Sequence, residues 1–469
     1  MEPFKRDDKK ASMKNILAIN KLRYALPSKL SVVSRRQNKV SYADSNEYKS
    51  SAGNEMVIRM TASTDYVYGP NSYLVFDVQG TASDGTLGFD SHDATALFSR
   101  VLFEDRSGVE LERNDKLNSY CAQVLPWHFE DKYKETVQAM AGQFEGSTRM
   151  LADYDAKTGI PTDSPQTWQK NGQVADYDVK GSVTTVCIPL RHFLGIFDRE
   201  TLIPSMLLSG ALLRLQLETP SVAFQDIGGT ATVFTDSTYT IKNPRVVLDS
   251  MALMPVVQKN LLEQSQASGG LDFSYETCYY QSGNPGEFSA FNLQINKAVS
   301  RVQKLYWSSH CQATPSQTNK DNLGTSLADV KTLDYRVGDL YLPSRAISCT
   351  GTTQKTGAEL YENSLQSVNR MRQFHNQPSI TKDVFLRSGI ALTGTVANND
   401  DSGRCVHVQS FEMSSCGEYS GVAINNSRTL EARITFQAAA PAGAPRTIDA
   451  WIKYVKLAKC SALRAIVKE

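Results

Sequence analysis

No stretch of this 469-residue chain is apolar for long enough to cross a bilayer as a helix, which takes about 18–20 residues. The longest candidate, Ile203–Leu215, is broken by Pro204, Ser205, Ser209 and Arg214. The first ten residues, Met1–Lys10, are charged and lack a hydrophobic h-region, so no secretory signal is expected. Eight cysteines are scattered without one CxxC pair. That spacing suits neither a zinc site nor a disulfide framework and fits reduced thiols in an intracellular setting. Cys405 and Cys416, across one loop, are the single candidate pair.

Catalytic signatures are as scarce. The six histidines (His92, His128, His192, His310, His375, His407) form no HExxH, no HxH and no i, i+4 pair. His310 adjoins Cys311, but consecutive residues of a strand point to opposite faces and make a poor metal pair. There is no GxxxxGK[ST] loop, no GxGxxG opening a helix and no GxSxG elbow. Nucleotide binding through those loops and the α/β-hydrolase nucleophile therefore have no support. Neighbouring acids such as Glu104-Asp105 and the Asp153/Asp155 pair read as solvated loop carboxylates. The residues nominate no catalytic group, no metal ligand and no cofactor.

What the chain has in quantity is strand pattern. With 41% hydrophobic and 21% charged residues it is globular in composition, and its length implies two or three domains. Leu212–Glu218, Leu430–Phe436 and Ile448–Val455 alternate apolar and polar residues, as a strand with one buried face requires. Tyr73–Val78 is more continuously apolar, as a strand covered on both sides would be. Gly69-Pro70-Asn71, within Tyr68–Ser72, predicts a turn, and Leu97–Glu112 predicts a hairpin around Asp105–Gly108. Short helices are expected at Leu117–Val124 and Lys132–Met140, then a loop at Asp153–Asp178 and a strand at Ser182–Leu190. In the second half, Pro255–Gln266 predicts a helix ended by Gly269-Gly270. Strands are expected at 271–280, 287–295 and 299–309, a polar loop at 312–328 and a helix at 357–375. More strands follow at 381–396, 404–414, 420–424, 430–438 and 447–459, the last two separated by a flexible turn at Ala438–Pro445. Trp307 and Trp451 sit within strand patterns and are assigned to core or interface packing. Short strands at turn-punctuated intervals with few helices indicate an all-β sandwich or jelly roll, not a Rossmann sheet or TIM barrel.

The net charge of +1 conceals an asymmetry. Residues 1–40 hold eleven basic residues: Lys5, Arg6, Lys9, Lys10, Lys14, Lys21, Arg23, Lys29, Arg35, Arg36 and Lys39. Against Glu2, Asp7 and Asp8 they leave the arm at +8, and the remaining body at −7. Residues 12–26 read as a short amphipathic helix, with Ser12 as N-cap and Pro27 as its stop. Such an arm suits a polyanion, an anionic membrane surface or a neighbouring subunit, and equally a solvated tail.

The order of segments resembles the double jelly-roll major capsid proteins of double-stranded DNA viruses. It is most similar to the polinton-like virus, adintovirus and virophage branch of the adenovirus-hexon-like lineage. Ala94–Glu112 is similar to an early hairpin of that family, and Cys187–Phe197 to a strand that ends in Ile-Pro-Leu before a short helix. Pro204–Glu218 resembles the strand closing the first roll, and Tyr239–Asp249 the strand opening the second. Asp339–Ser344 resembles a proline-ended segment before a helix, and Leu430–Phe436 with Ile448–Leu457 resembles a final hairpin. The resemblance implies two consecutive eight-stranded antiparallel jelly rolls with short helices in loops. The expected division is a basic arm at 1–40, a first roll at 41–238 and a second roll with the C-terminal tail at 239–469. It also implies a structural role without catalysis or cofactor: a homotrimer forming pseudo-hexagonal capsomers that tile an icosahedral shell. Its partners would be itself, neighbouring capsomers, and penton and minor capsid proteins. The arm would face inward to packaged DNA or an internal membrane, in a virion assembled inside the host cell. Two other readings stay open on the residues alone. One is a non-viral β-sandwich that binds carbohydrate or mediates adhesion; the other is a glycosidase-like enzyme with paired carboxylates in a cleft.

Overall fold

The computed structural model describes residues 33–50, 54–61, 65–81, 87–89, 94–128, 181, 183–226, 238–311, 330–349, 357–369, 385, 406–411, 421–425, 428–436, 446–460 and 465–468. Sixteen of its strands fall into two sets of eight. The first set is β1 (Val33–Tyr42), β2 (Glu55–Thr61), β3 (Tyr66–Thr81), β4 (Phe98–Glu104), β5 (Glu110–Asp115), β6 (Thr184–Pro189), β7 (Ser209–Leu217) and β8 (Thr238–Leu253). The second is β9 (Leu271–Gly286), β10 (Ala290–Ile295), β11 (Val299–Cys311), β12 (Val330–Val337), β13 (Leu340–Ser348), β14 (His407–Ser410), β15 (Leu430–Phe436) and β16 (Arg446–Cys460). Among the described residues, three helices of more than one turn join them: α1 (Leu117–Gln123), α2 (Pro255–Ser268) and α3 (Ala358–Asn369). None of the described helices is long and apolar enough to cross a membrane.

Every pairing is antiparallel, and the two sets repeat one order. The first builds sheets β1-β8-β3-β6 and β2-β7-β4-β5; the second builds β9-β16-β11-β14 and β10-β15-β12-β13. Adding eight to each label of the first roll gives the second, and each pair of sheets encloses a core, so the expected double jelly roll is present. Alternation drives the packing. On β7, Ala211, Leu213, Leu215 and Leu217 are buried while Leu212, Arg214 and Gln216 are only partly so. On β15, Leu430, Ala432, Ile434 and Phe436 do the same for the second core. The β4–β5 hairpin turns where expected: Asp105 Oδ1 accepts from the backbone N–H of Ser107 and Val109 at 2.8 Å, and Gly108 takes φ +80°.

The structure moves several boundaries. Thr238–Leu253 does not open the second roll. It is hydrogen-bonded to β1 on one side and β3 on the other, and its Tyr239, Ile241, Val246 and Leu248 fill the first core. The boundary expected at 238/239 therefore falls after Leu253, and β7 is the seventh strand of the first roll, not its closing one. Leu430–Phe436 and β16 are not a hairpin either, because they lie in opposite sheets of the second roll. The turn expected at Tyr68–Ser72 is a wide bulge within β3: Tyr68 pairs with Asp249 and Tyr73 with Val247, leaving four residues opposite Leu248. Pro70 is tolerated there because a bulge requires no ladder donor. Gly69 presses on the backbone of Phe197, where a Cβ would lie 2.5 Å from the carbonyl oxygen. The arm also ends earlier than residue 40, since β1 begins at Val33.

The helix ended by Gly269-Gly270 is α2, and its two glycines take φ of +71° and +139°. The helices expected at 12–26 and 132–140 lie outside the described residues, as do the segments at 153–178, 312–328, 370–375 and 438–445 and both Cys405 and Cys416. Of the strand expected at 381–396 only Phe385 is described, and it is helical.

Candidate assembly interface

The two rolls are locked by β5 and the segment that follows it. Leu111 and Glu112 are both buried at the end of the first roll, against β9 of the second. Leu111 gives its carbonyl to the Tyr275 hydroxyl, while the Glu112 carboxyl accepts from Thr277 Oγ1 at 2.8 Å. The same carboxyl accepts from the backbone N–H of Gly195 at 2.9 Å and Ile196 at 3.1 Å. Burial pushes Glu112 up to about 7, against the pull of those three donors and of Lys456. Gly195 has no room for a side chain: a Cβ would lie 1.8 Å from the Glu276 carbonyl oxygen. Arg199 completes the clamp, donating to the carbonyl and hydroxyl oxygens of Ser274.

Beyond β5 the chain turns through Lys116, at φ 57°, into α1, which is buried along nearly all its length. It lies on the face of the β9 sheet that points away from the second core. There Tyr280, Trp451, Tyr306 and Val408 form one cross-strand row. The Tyr120 ring sits 6.3 Å from Trp451, and its hydroxyl accepts from Cys278 Sγ at 3.5 Å. Gln123 Oε1 accepts from Ser308 Oγ at 2.8 Å, and His128 Nε2 lies 2.9 Å from the Tyr306 hydroxyl. Trp127 goes further, edge-on to Phe385 at 5.7 Å and tilted over Tyr361 of α3 at 6.2 Å. Buried residues cross the joint in both directions: Phe273, Tyr275 and Ala458 cluster with the first roll, and Val124 and Trp127 with the second. Burial raises the Cys278 thiol to about 11, which leaves it protonated and inert at neutral pH.

Of the basic residues singled out from sequence, Lys5, Arg6, Lys9, Lys10, Lys14, Lys21, Arg23 and Lys29 lie outside the described residues. Arg35, Arg36 and Lys39 are on β1, and there they are structural. Arg36 grips Asp249 with two nitrogens, and Asn71 donates to the same carboxylate at 3.1 Å. Lys39 pairs with Asp65 at 2.6 Å, with Arg35 at 3.8 Å from the same acid. These pairs tie an edge strand to acids of the first roll, while the Arg35 and Arg36 side chains stay 61% and 52% exposed. Among the described residues no three His, Cys, Asp or Glu side chains gather as a metal site.

Sequence reasoning placed Trp451 at core or interface, and Trp451 is in the joint. It missed Glu112, Gly195 and Tyr120, because a buried acid and a crowded glycine look like any other in sequence.

No family model matches the chain, and no curated protein matches it in sequence. Its fold, however, matches solved viral structures along nearly its whole length. A chain of the Sputnik virophage structure is 11% identical, covering 95% of this chain and 90% of that one, with a TM-score of 0.59. The Faustovirus major capsid protein is 9% identical, covering 94% of each chain, with a TM-score of 0.57. PBCV-1 VP54 is 12% identical, covering 95% of this chain and 99% of that one, at 0.54. By fold, this chain is a double jelly roll of the kind from which viral major capsid proteins are made.

Proposed function

We infer that the protein is the major capsid subunit of an icosahedral DNA virus or virus-like element. Three copies form a pseudo-hexagonal capsomer, and capsomers tile the shell together with penton and minor capsid proteins. The observation that carries this reading is the repeat itself: two rolls of identical strand order, joined in one chain by a buried contact. That architecture does the work of two subunits in one chain, and three such chains supply six similar blocks around an axis. Residues 1–32, which keep eight of the arm's eleven basic residues, face the interior and contact packaged DNA, an internal membrane or a minor capsid protein.

Negative-stain electron microscopy of the purified protein, with its solution mass, tests the reading. A hexagonal outline at three times 51.8 kDa is expected. A monodisperse monomer that binds a glycan in a screen would replace it with the carbohydrate-binding reading. Removing residues 1–32, short of β1, should leave the capsomer intact and weaken assembly or retention of contents.

A further inference from the structure

The single 3-10 turn Gly195–Phe197 is pressed by backbone on two sides. On one side stands the wide bulge of β3, where a Cβ on Gly69 would lie 2.5 Å from the Phe197 carbonyl oxygen. On the other stands β9, whose Glu276 carbonyl leaves Gly195 no room for a side chain. Ile196 and Phe197 are meanwhile buried in the first core. A side chain in the way can rotate aside, but a carbonyl cannot, so displacement on one side of the turn must pass to the other.

The same turn supplies the donors of the joint. The Gly195 N–H donates to Glu112 Oε1 and the Ile196 N–H to Oε2, and Oε1 also accepts from Thr277 of the second roll. A shift of the turn therefore disturbs the carboxyl on which the two rolls meet.

The bulge has its own fastening, and it centres on Asp249 of β8, which is 4% exposed. Arg36 of β1 donates to both carboxylate oxygens, and Asn71 Nδ2 donates to Oδ2 at 3.1 Å. The Asp249 N–H donates to Ser72 Oγ at 3.2 Å, and that hydroxyl donates to the Tyr68 carbonyl at 3.1 Å, closing the bulge on itself. Just before the bulge, Val67 exchanges two backbone hydrogen bonds with Ile203, beyond the turn, at 3.1 and 2.8 Å. A buried carboxylate that loses one of its donors must be reached by water, and the bulge has to yield for that to happen.

We propose that Arg36, Asn71 and Asp249 form a clasp that sets the roll-to-roll joint. Closed, it holds the bulge against the turn and the turn against β9; opened, it loosens the Glu112 contact. β1 begins at Val33, three residues before Arg36, so the strand that the basic arm feeds is coupled to the joint through this pair. The coupling is a property of the single chain and stands apart from the capsomer reading.

Hydrogen exchange of the full chain, read by mass spectrometry, tests it in both directions. Arg36→Met keeps the aliphatic stem and removes the fork. Exchange in the segment 193–198 should then rise at least about fivefold, the lower end of coupling between sites. Arg214→Met is the control: it breaks the pairs with Glu55 and Glu104 in the other sheet of the same roll and should leave 193–198 unchanged. Asn71→Ala, at an exposed position, removes one donor alone and should give a smaller rise, which keeps the test open if Arg36→Met is insoluble. In reverse, Glu112→Gln should speed exchange around Asp249, whose N–H reports on the bulge through Ser72. Unchanged exchange at 193–198 in the clasp variants would overturn the proposal. So would an equal rise in Arg36→Met and Arg214→Met, which would mean general loosening of the first roll. A segment around Asp249 that stays fully protected in Glu112→Gln would overturn it from the other side.

Discussion

The same face of the same sheet is built from different side chains in the two rolls. In the second, the outward face of β9-β16-β11-β14 is aromatic and fully covered: Trp451 and Tyr306 are both 0% exposed beneath α1 and the residues after it. In the first, the matching face is built from Val40, Val247, Tyr73 and Val75, and its edge strand is held by Arg36–Asp249 and Lys39–Asp65 pairs. The interiors diverge too. The first core packs phenylalanines edge to face, Phe98 against Phe76 and Phe193. The second runs a hydrogen-bonded chain through its centre: Trp307 Nε1 donates to the Tyr335 hydroxyl at 2.6 Å, which lies 2.6 Å from His407 Nδ1. Topology therefore does not decide what a face is for. Large aromatics make up the face covered by the other roll, whereas the matching face of the first roll is mostly valine, with Tyr73 and Arg245, and its Val75 and Val247 are 8% exposed.

The sharpest way to break the comparison is to part the rolls. Gly195→Val places a side chain where the Glu276 carbonyl already stands, and should cost more than about 4 kcal/mol, read as lost soluble yield and a lower urea midpoint. Next in size, Trp451→Ala should cost about 3–5 kcal/mol, because it empties a space the first roll fills. Val247→Ala, at the matching place in the first roll, should cost only about 1–2 kcal/mol in an isolated chain. Equal costs in urea titrations of the two variants would dissolve the distinction between the aromatic face and the aliphatic one. Smaller again, Tyr335→Phe should cost about 1–3 kcal/mol, since it strands the Trp307 N–H and the His407 ring in the second core.

Much of this was legible one strand at a time. The period-2 pattern of β7 and β15 survives in the structure because each has one wet and one dry face, and that is all alternation reports. It does not report the partner. β8 pairs with β1 across some 200 residues, and nothing local distinguishes a strand that closes one roll from a strand that opens the next. Gly69-Pro70-Asn71 has turn chemistry, but the ladders on both sides of it hold the chain extended and convert the turn to a bulge. The joint was less legible still. Trp451 could be recognised as buried, yet Glu112 is useful only where two backbone N–H groups and Thr277 converge from segments 83 to 165 residues away.

The smallest effect separates the joint from the rolls it joins. Each roll hides one histidine near its sixth strand, His192 and His407, and burial lowers both from 6.5 to about 3. In the unfolded chain they bind protons below about 6.5, so each favours unfolding as pH falls through that window. Glu112 belongs to the joint and works the other way. Its carboxyl is raised from 4.5 to about 7, so between those values the folded state holds a proton that the unfolded state has released. Stability from Glu112 is therefore present at low pH and lost as pH rises towards 7. Between 4.5 and 6.5 two histidines oppose one carboxyl, leaving a net rise with pH of about one proton, or ~1.4 kcal/mol per unit. Above 6.5 the last part of the two histidine titrations offsets the Glu112 loss, and the profile should be flat. Glu112→Gln keeps the shape and removes the titration. Urea midpoints from pH 4.5 to 8 should then rise about twice as steeply with pH below 6.5 and continue to rise slightly above it, where the parent is flat. An unchanged profile in that variant would mean that the carboxyl at the joint stays ionised, fully answered by its three donors.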